Sequence, residues 1–213
     1  MTIATYGIIG ITALVSYVAL QNRELSARLC HYPWAEAHRE EYTRLLTGAV
    51  VHGSLGHLAI NMFVLWSFGS FLEAQLISDG LIGFGPGLGS AVFVLLYGAT
   101  AVLANLITFA QHRDNTAFRS VGASGAVSGI TFCYALLVPW SDIYLLFIPI
   151  GIPAIVFALL FLAYSQYAAR RGGDNIDHVA HFYGAVAMPL LLIALRPEVA
   201  PHFVRALTQN GPF

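Results

Sequence analysis

Uncharged apolar runs separated by short polar stretches organise this chain. Six of them are long: Ile3 to Leu20, His57 to Ile77, Leu88 to Ala110, Val121 to Trp140, Ile143 to Tyr164 and Val179 to Leu195. Glu73 is the only formally charged residue inside any of them. At 1.5 Å per helical residue, a run of about 20 residues crosses a hydrocarbon layer of about 30 Å. None alternates polar with apolar positions as a barrel strand does. The pattern predicts an all-α membrane protein, a bundle of six transmembrane helices forming one domain over residues 1–213.

The connections are unequal. Ser78 to Gly87 reads as a Gly/Pro-rich turn region, and Ser141-Asp142 as a minimal hairpin that makes the fourth and fifth runs antiparallel neighbours. Gln21 to Leu55 is instead a long, structured loop. It carries Tyr32, Trp34, Tyr42 and mixed charges from Arg23 to Arg44, and is apolar enough to dip into the interface. Met1 to Gly7 has no Lys or Arg, and no cleavage pattern follows, so the first run is read as a span rather than a signal peptide.

Composition agrees with the pattern. Hydrophobic residues make up 57% and charged residues 10%, against about 25% charged in a soluble domain, which excludes one large soluble core. Cys30 in the first loop and Cys133 in the fourth run lie in different settings, so no disulfide framework is expected.

Parity then places the candidate chemistry. If six helices cross in alternation, the second, fourth and sixth start on one side, and the unusual polar residues stand at those starts. His52, His57 and Asn61 open the second run, Ser124 the fourth, and His178 and His181 the sixth. Polar groups at membrane depth are costly and face a bundle interior or a water-filled cavity. A serine and a histidine at matched depth suffice for nucleophilic catalysis, because the imidazole removes the hydroxyl proton during attack. Asp177, four residues before His181, reads as nearer the water, so the pair is read as a dyad. His178 reads as a loop-end group.

Small residues support the same meeting. Gly122, Gly125 and Gly129 surround Ser124, and Gly184 follows His181 by three residues, leaving room for close helix approach. His57 and Asn61, four apart on one helical face, can supply donors to a developing oxyanion beside the backbone N–H of Ser124, with His52 just above them in the polar cavity.

Three motifs now stand in order: His52-Gly-Ser-Leu-Gly-His57-Leu-Ala-Ile-Asn61-Met62, Gly122-Ala-Ser124-Gly125, and Ala180-His181-Phe-Tyr-Gly184. Together they resemble the rhomboid intramembrane serine proteases, from about Tyr42 to Leu195. The resemblance implies Ser124 as nucleophile, His181 as general base and then acid, and His57 and Asn61, with His52 nearby, as oxyanion or water-retaining groups. It implies transmembrane protein substrates cut near the membrane surface within the lipid bilayer, and no cofactor. No metal site and no nucleic-acid partner are expected. Arg44 and Glu73 match polar family positions with structural roles.

The chain departs from the family pattern at three places. Ser128 stands where an aromatic residue often packs on the histidine, Met188 where a glycine is frequent, and Thr43 where the first-loop motif often has Trp before its arginine. Two other readings remain at this stage: a catalytically silent rhomboid-like chaperone or adaptor, and a histidine-ligated haem or ion-binding bundle. The α/β-hydrolase elbow and the H-E-x-x-H zinc motif are both absent.

Charge and resemblance disagree about orientation. Arg23, Arg28, Arg39, Arg44, Arg113, Arg119, Arg170 and Arg171 lie beside the candidate site, against Arg196 and Arg205 opposite. The positive-inside rule puts the site in the cytoplasm; the resemblance puts it on the extracytoplasmic side. The expectation follows the resemblance, and the bare six-span core suggests a prokaryotic inner or cell membrane.

Overall fold

The computed structural model describes residues 1–144, 150–171 and 176–209. Its long elements follow the apolar runs closely. Helix α1 spans Ile3–Gln21. A second long helix begins as α5, Leu55–Val64, passes through a π turn at Leu65–Gly69 and continues as α6, Ser70–Ile77. Helices α7, Leu88–His112, and α10, His178–Leu195, match the third and sixth runs. Among the described residues, these four helical stretches are long and apolar enough to cross a membrane.

The first loop is structured, as its aromatic and mixed-charge content suggested. It folds into α2, Arg23–Leu29, α3, Pro33–His38, and α4, Arg44–Thr47, followed by a 3-10 turn at Gly48–Val50. Asn22 caps α2 by accepting from Leu25 N–H, and Pro33 opens α3, where a missing N–H costs nothing. Arg44 donates to Ala27 and Cys30 carbonyls and to the Glu41 carboxylate, binding the loop's helices together.

The fourth and fifth runs need correction. Helix α8 covers only Ser124–Leu137, 14 residues, within the expected Val121 to Trp140. The expected fifth span, Ile143 to Tyr164, does not start as a helix: β1, Asp142–Tyr144, pairs antiparallel with β2, Gly151–Pro153, and α9 begins only at Ala154 and runs to Arg171. Residues 145–149 of that expected span lie outside the described residues. The connection is thus a strand pair rather than a two-residue hairpin. Gly151 and Pro153 give the reason, since both are poor in a helix interior. Helix α11, Val199–Gln209, was not expected; it packs under the far end of α8, where Trp140 Nε1 donates to Leu207 O and His202 Nε2 lies 2.9 Å from Leu137 O.

Helix α8 occupies the centre. Every residue from Gly125 to Thr131 is buried. Around it Leu65, Leu72, Phe93, Met188 and Leu192 are wholly inaccessible. The outer faces of α1, α7 and α9 instead expose Ile11, Leu14, Leu95, Leu159 and Leu160, a distribution that suits lipid contact and not water. Buried Glu73 on α6 fastens α1: its carboxylate accepts from Ala4 N–H at 3.0 Å, Thr5 N–H at 2.8 Å and the Thr5 and Ser90 hydroxyls at 2.7 Å each.

Candidate active site

The segment that delivers Ser124 is held from two sides. Ser120 and His31 exchange backbone hydrogen bonds of 3.0 Å, and Gly122 N–H donates to Gly48 O at 2.9 Å, so the first loop is its scaffold. Gly122 then adopts a φ of +128°, a region that side-chain-bearing residues avoid. Ala123 N–H donates to His52 Nε2 at 3.3 Å. His52 Nδ1 lies 2.9 Å from Ser16 Oγ, which itself donates to Val50 O at 2.9 Å.

These partners assign the His52 proton. Ser16 uses its only hydrogen on Val50, so it must accept from Nδ1–H, leaving Nε2 bare to receive Ala123 N–H. The ring is neutral in this arrangement. Burial, with a smaller contribution from nearby His57, pushes the His52 pKa down to about 4. His52 is therefore a buried support behind the serine segment. It does not line the cleft described below, which differs from its expected position in the polar cavity.

The second arm is the start of α10, capped by Asp177, whose carboxylate accepts from Ala180 N–H at 2.8 Å. One turn on, His181 Nε2 stands 2.6 Å from Ser124 Oγ. With Nε2 unprotonated, it accepts the serine O–H, the arrangement general-base activation requires. Ser124 is the first residue of α8, where first-turn N–H groups lack intrahelical partners. His178 is buried and edge-on to both Tyr164 and His181.

Glycines permit the two helices to approach this closely. A Cβ on Gly184 would lie 2.1 Å from Gly125 O, and one on Gly129 would lie 2.7 Å from Met188 Cβ. Gly122 does something different from the helix packing expected of it. Its missing side chain leaves a gap: a Cβ there would sit 2.7 Å from His57 Cε1, 3.0 Å from His57 Nε2 and 3.7 Å from Ser124 Oγ. That space is too tight for a methyl unless the His57 ring moves, and it is bounded by an imidazole and a hydroxyl, both able to hydrogen-bond a carbonyl oxygen brought beside them. Asn61 is buried beside it and donates from Nδ2 to His57 O at 3.0 Å.

Ser124, His181, His57 and Asn61 all line one cleft of about 860 Å³, which continues past Phe68 and Phe157 to Tyr144. Phe161 also lines it and stacks on His181, with ring centroids 6.1 Å apart and planes at 29°. Sequence reasoning did not find Phe161, because an aromatic on an apolar helix carries no local mark. Chemically, the cleft presents a hydroxyl on a base, a polar gap beside it, and an apolar trough leading away.

A Rhomboid domain model matches residues 39–197. The chain belongs to the rhomboid family. Similar rhomboid proteins include Rhomboid protein 1, mitochondrial, of Saccharomyces cerevisiae, 28% identical over 67% of this chain and 38% of its own length. RHOMBOID-like protein 12, mitochondrial, of Arabidopsis thaliana is 29% identical over 71% of this chain and 46% of its own. Rhomboid protease GluP of Bacillus subtilis is 30% identical over 68% and 24%. The chain spans less than half the length of each of these relatives.

These relatives correct the expected location. The rhomboids of yeast and Arabidopsis, and one of Mus musculus named presenilin-associated rhomboid-like protein, are mitochondrial by name; they point away from a prokaryotic cell membrane. Ser128 of α8 is small, and the aromatic ring stacked on His181 is Phe161 from α9. Met188, in place of a frequent glycine, is wholly buried against Gly129.

Proposed function

We propose that this rhomboid is an intramembrane serine endopeptidase acting on transmembrane proteins, residing in a mitochondrial membrane as the names of its relatives suggest. Residues 1–213 act as one domain whose six spans are α1, α5–α6, α7, α8, α9 and α10. The observation that carries the reading is the 2.6 Å approach of His181 Nε2 to Ser124 Oγ at the wall of a cleft that also holds His57 and Asn61.

In the proposed reaction, His181 takes the Ser124 proton as Oγ attacks the scissile carbonyl, whose oxygen turns toward His57 beside Gly122. There His57, Asn61 and the Ser124 backbone N–H stabilise the oxyanion. The imidazolium returns its proton to the leaving amine, and water, activated by the same imidazole, hydrolyses the acyl-enzyme. A helical substrate hides its carbonyls in i to i−4 bonds, so it must unwind locally to reach Ser124, which favours cleavage near Gly, Pro or other weak helix formers. The apolar trough past Phe68 and Phe157 suits the side chains of such a segment. Helix α9, which brings Phe157 and Phe161 to the cleft wall, is the gate in this reading.

The test is cleavage of a single-span substrate in liposomes by the intact chain, Ser124→Ala and His181→Ala. Both variants are expected to lose hydrolysis, and a fluorophosphonate is expected to label Ser124 in the unmodified chain alone. Hydrolysis persisting in both variants would remove the dyad.

A further inference from the structure

Asp177 makes more bonds than a helix cap needs. Capping α10 requires only the bond from Ala180 N–H. The same Oδ1 also accepts from the Thr108 hydroxyl at 3.0 Å, and Oδ2 accepts from the Ser120 hydroxyl at 3.1 Å. Thr108 is a fully buried residue of α7, and Ser120 lies in the segment that leads into Ser124. One half-buried carboxylate therefore joins three elements.

The spacing gives these bonds their meaning. Ser120 precedes Ser124 by four residues, and Asp177 precedes His181 by four. Ser120 to Asp177 and Ser124 to His181 are thus two rungs, each 57 residues apart in sequence, between the same two arms. The first rung is 3.1 Å long and the second 2.6 Å. Thr108 anchors the first rung to α7, the helix alongside. Below this rung the two arms are held together by the close packing of Gly125 against Ala180 and Gly184; on the other side the first loop holds the serine arm.

We propose that Asp177 is a positioning residue that sets the distance between Ser124 and His181, by holding Ser120 on the serine arm and Thr108 on α7. The inference rests on the reading of Ser124 and His181 as the reacting pair. A displacement of about 1 Å between reacting groups is worth about a hundredfold in rate. Asp177 lines the same cleft, but its hydrogen bonds go to Ala180, Thr108 and Ser120, so the loss on its removal is expected to fall mainly on kcat.

The experiment compares the intact chain with Asp177→Ala, Asp177→Asn, Ser120→Ala and the Ser120→Ala/Asp177→Ala double variant on a single-span substrate in liposomes. Thermal midpoints are measured alongside. Asp177→Ala is expected to lower kcat about a hundredfold with KM within about twofold. Asp177→Asn recovers most of the loss, because its Oδ1 keeps the Ala180 and Thr108 bonds and its amide donates to Ser120 Oγ. The double variant is expected to fall no further than Asp177→Ala alone, since both changes cut one rung. Unchanged kcat in Asp177→Ala, or fully additive losses, overturns the proposal. If Asp177→Ala does not fold, unchanged kcat in both Asp177→Asn and Ser120→Ala overturns it equally. A Ser124→Ala control separates the two claims: its loss of hydrolysis beside fully active Asp177 variants leaves the protease reading standing and removes this one, whereas its persistent hydrolysis removes both.

Discussion

Phe161 on α9 lies over His181 on α10, the two rings 6.1 Å apart and 29° from parallel. The ring stacked on the candidate base thus comes from a neighbouring helix and not from α8, where Ser128 takes the position; His178 meets the base edge-on. An aromatic contact of this kind is worth about 0.5–1.5 kcal/mol, which is up to about tenfold in rate if it is spent on orienting the imidazole. Phe161→Ala is expected to lower kcat by about that factor, with Phe161→Tyr near the unmodified chain. Liposome cleavage rates for both variants check it, and equal rates for Phe161→Ala and the unmodified chain remove the assigned role.

Gly122→Ala tests the gap. The added methyl would meet His57 at 2.7 Å in a backbone conformation of φ +128°, costing about 1–3 kcal/mol in strain and pushing the His57 ring from its place beside the oxyanion. Peptidase activity is expected to drop at least about a hundredfold, the scale of losing an oxyanion donor. The decisive comparison is with fluorophosphonate labelling, in which Ser124 displaces fluoride through a pentacoordinate phosphorus whose phosphoryl oxygen needs the same donors, and which is expected to fail in parallel. A variant that labels at the normal rate would show the gap lies elsewhere.

Gly184→Ala concerns the frame. Its methyl would lie 2.1 Å from Gly125 O, a backbone atom that cannot rotate away, so α8 and α10 must separate. Overpacking of this sort costs about 1–3 kcal/mol or more. A lowered melting midpoint in detergent is expected together with lost activity, since the same separation parts Ser124 from His181. A midpoint equal to that of the unmodified chain would contradict the close approach.

His52 predicts a pH dependence of stability. Its folded pKa is depressed from 6.5 to about 4, so between those values the unfolded chain binds a proton that the folded chain refuses. Stability contributed by neutral His52 is fully present above pH 6.5 and falls as pH drops toward 4, at up to about 1.4 kcal/mol per unit. Below pH 4 the ring also protonates in the folded chain and Ala123 N–H loses its acceptor. Melting midpoints from pH 7 to 4 are expected to fall more steeply for the unmodified chain than for His52→Gln. Parallel slopes would contradict this account.

The sequence carried the frame further than the details. Absence of charge marks a span wherever lipid is the solvent, so α1, α7 and α10 fell within two residues of expectation at each end. The same signal misled at Ile143, because β1 and β2 are as apolar as the helix after them; only Gly151 and Pro153 held the correction. Helix α11 escaped because it is amphipathic and opens between Pro197 and Pro201. Parity alone brought Ser124, His181, His57 and Asn61 together. It could not show that His52 turns away to Ser16 and Ala123, or that Asp177 reaches Thr108 and Ser120, since those partners lie 36 to 71 residues distant in the chain.

The brevity of α8 has a consequence for where a bond is cut. Its 14 residues extend about 21 Å, some 9 Å less than a hydrocarbon layer of about 30 Å. If the far end, packed on α11, reaches the opposite membrane surface, the missing length falls at the Ser124 end. On the proposed reading, α8 acts as a ruler, fixing the depth of the cut by its number of turns. A protein built with one more turn there would cut about 5.4 Å closer to the surface, and the same substrate helix would yield a different product.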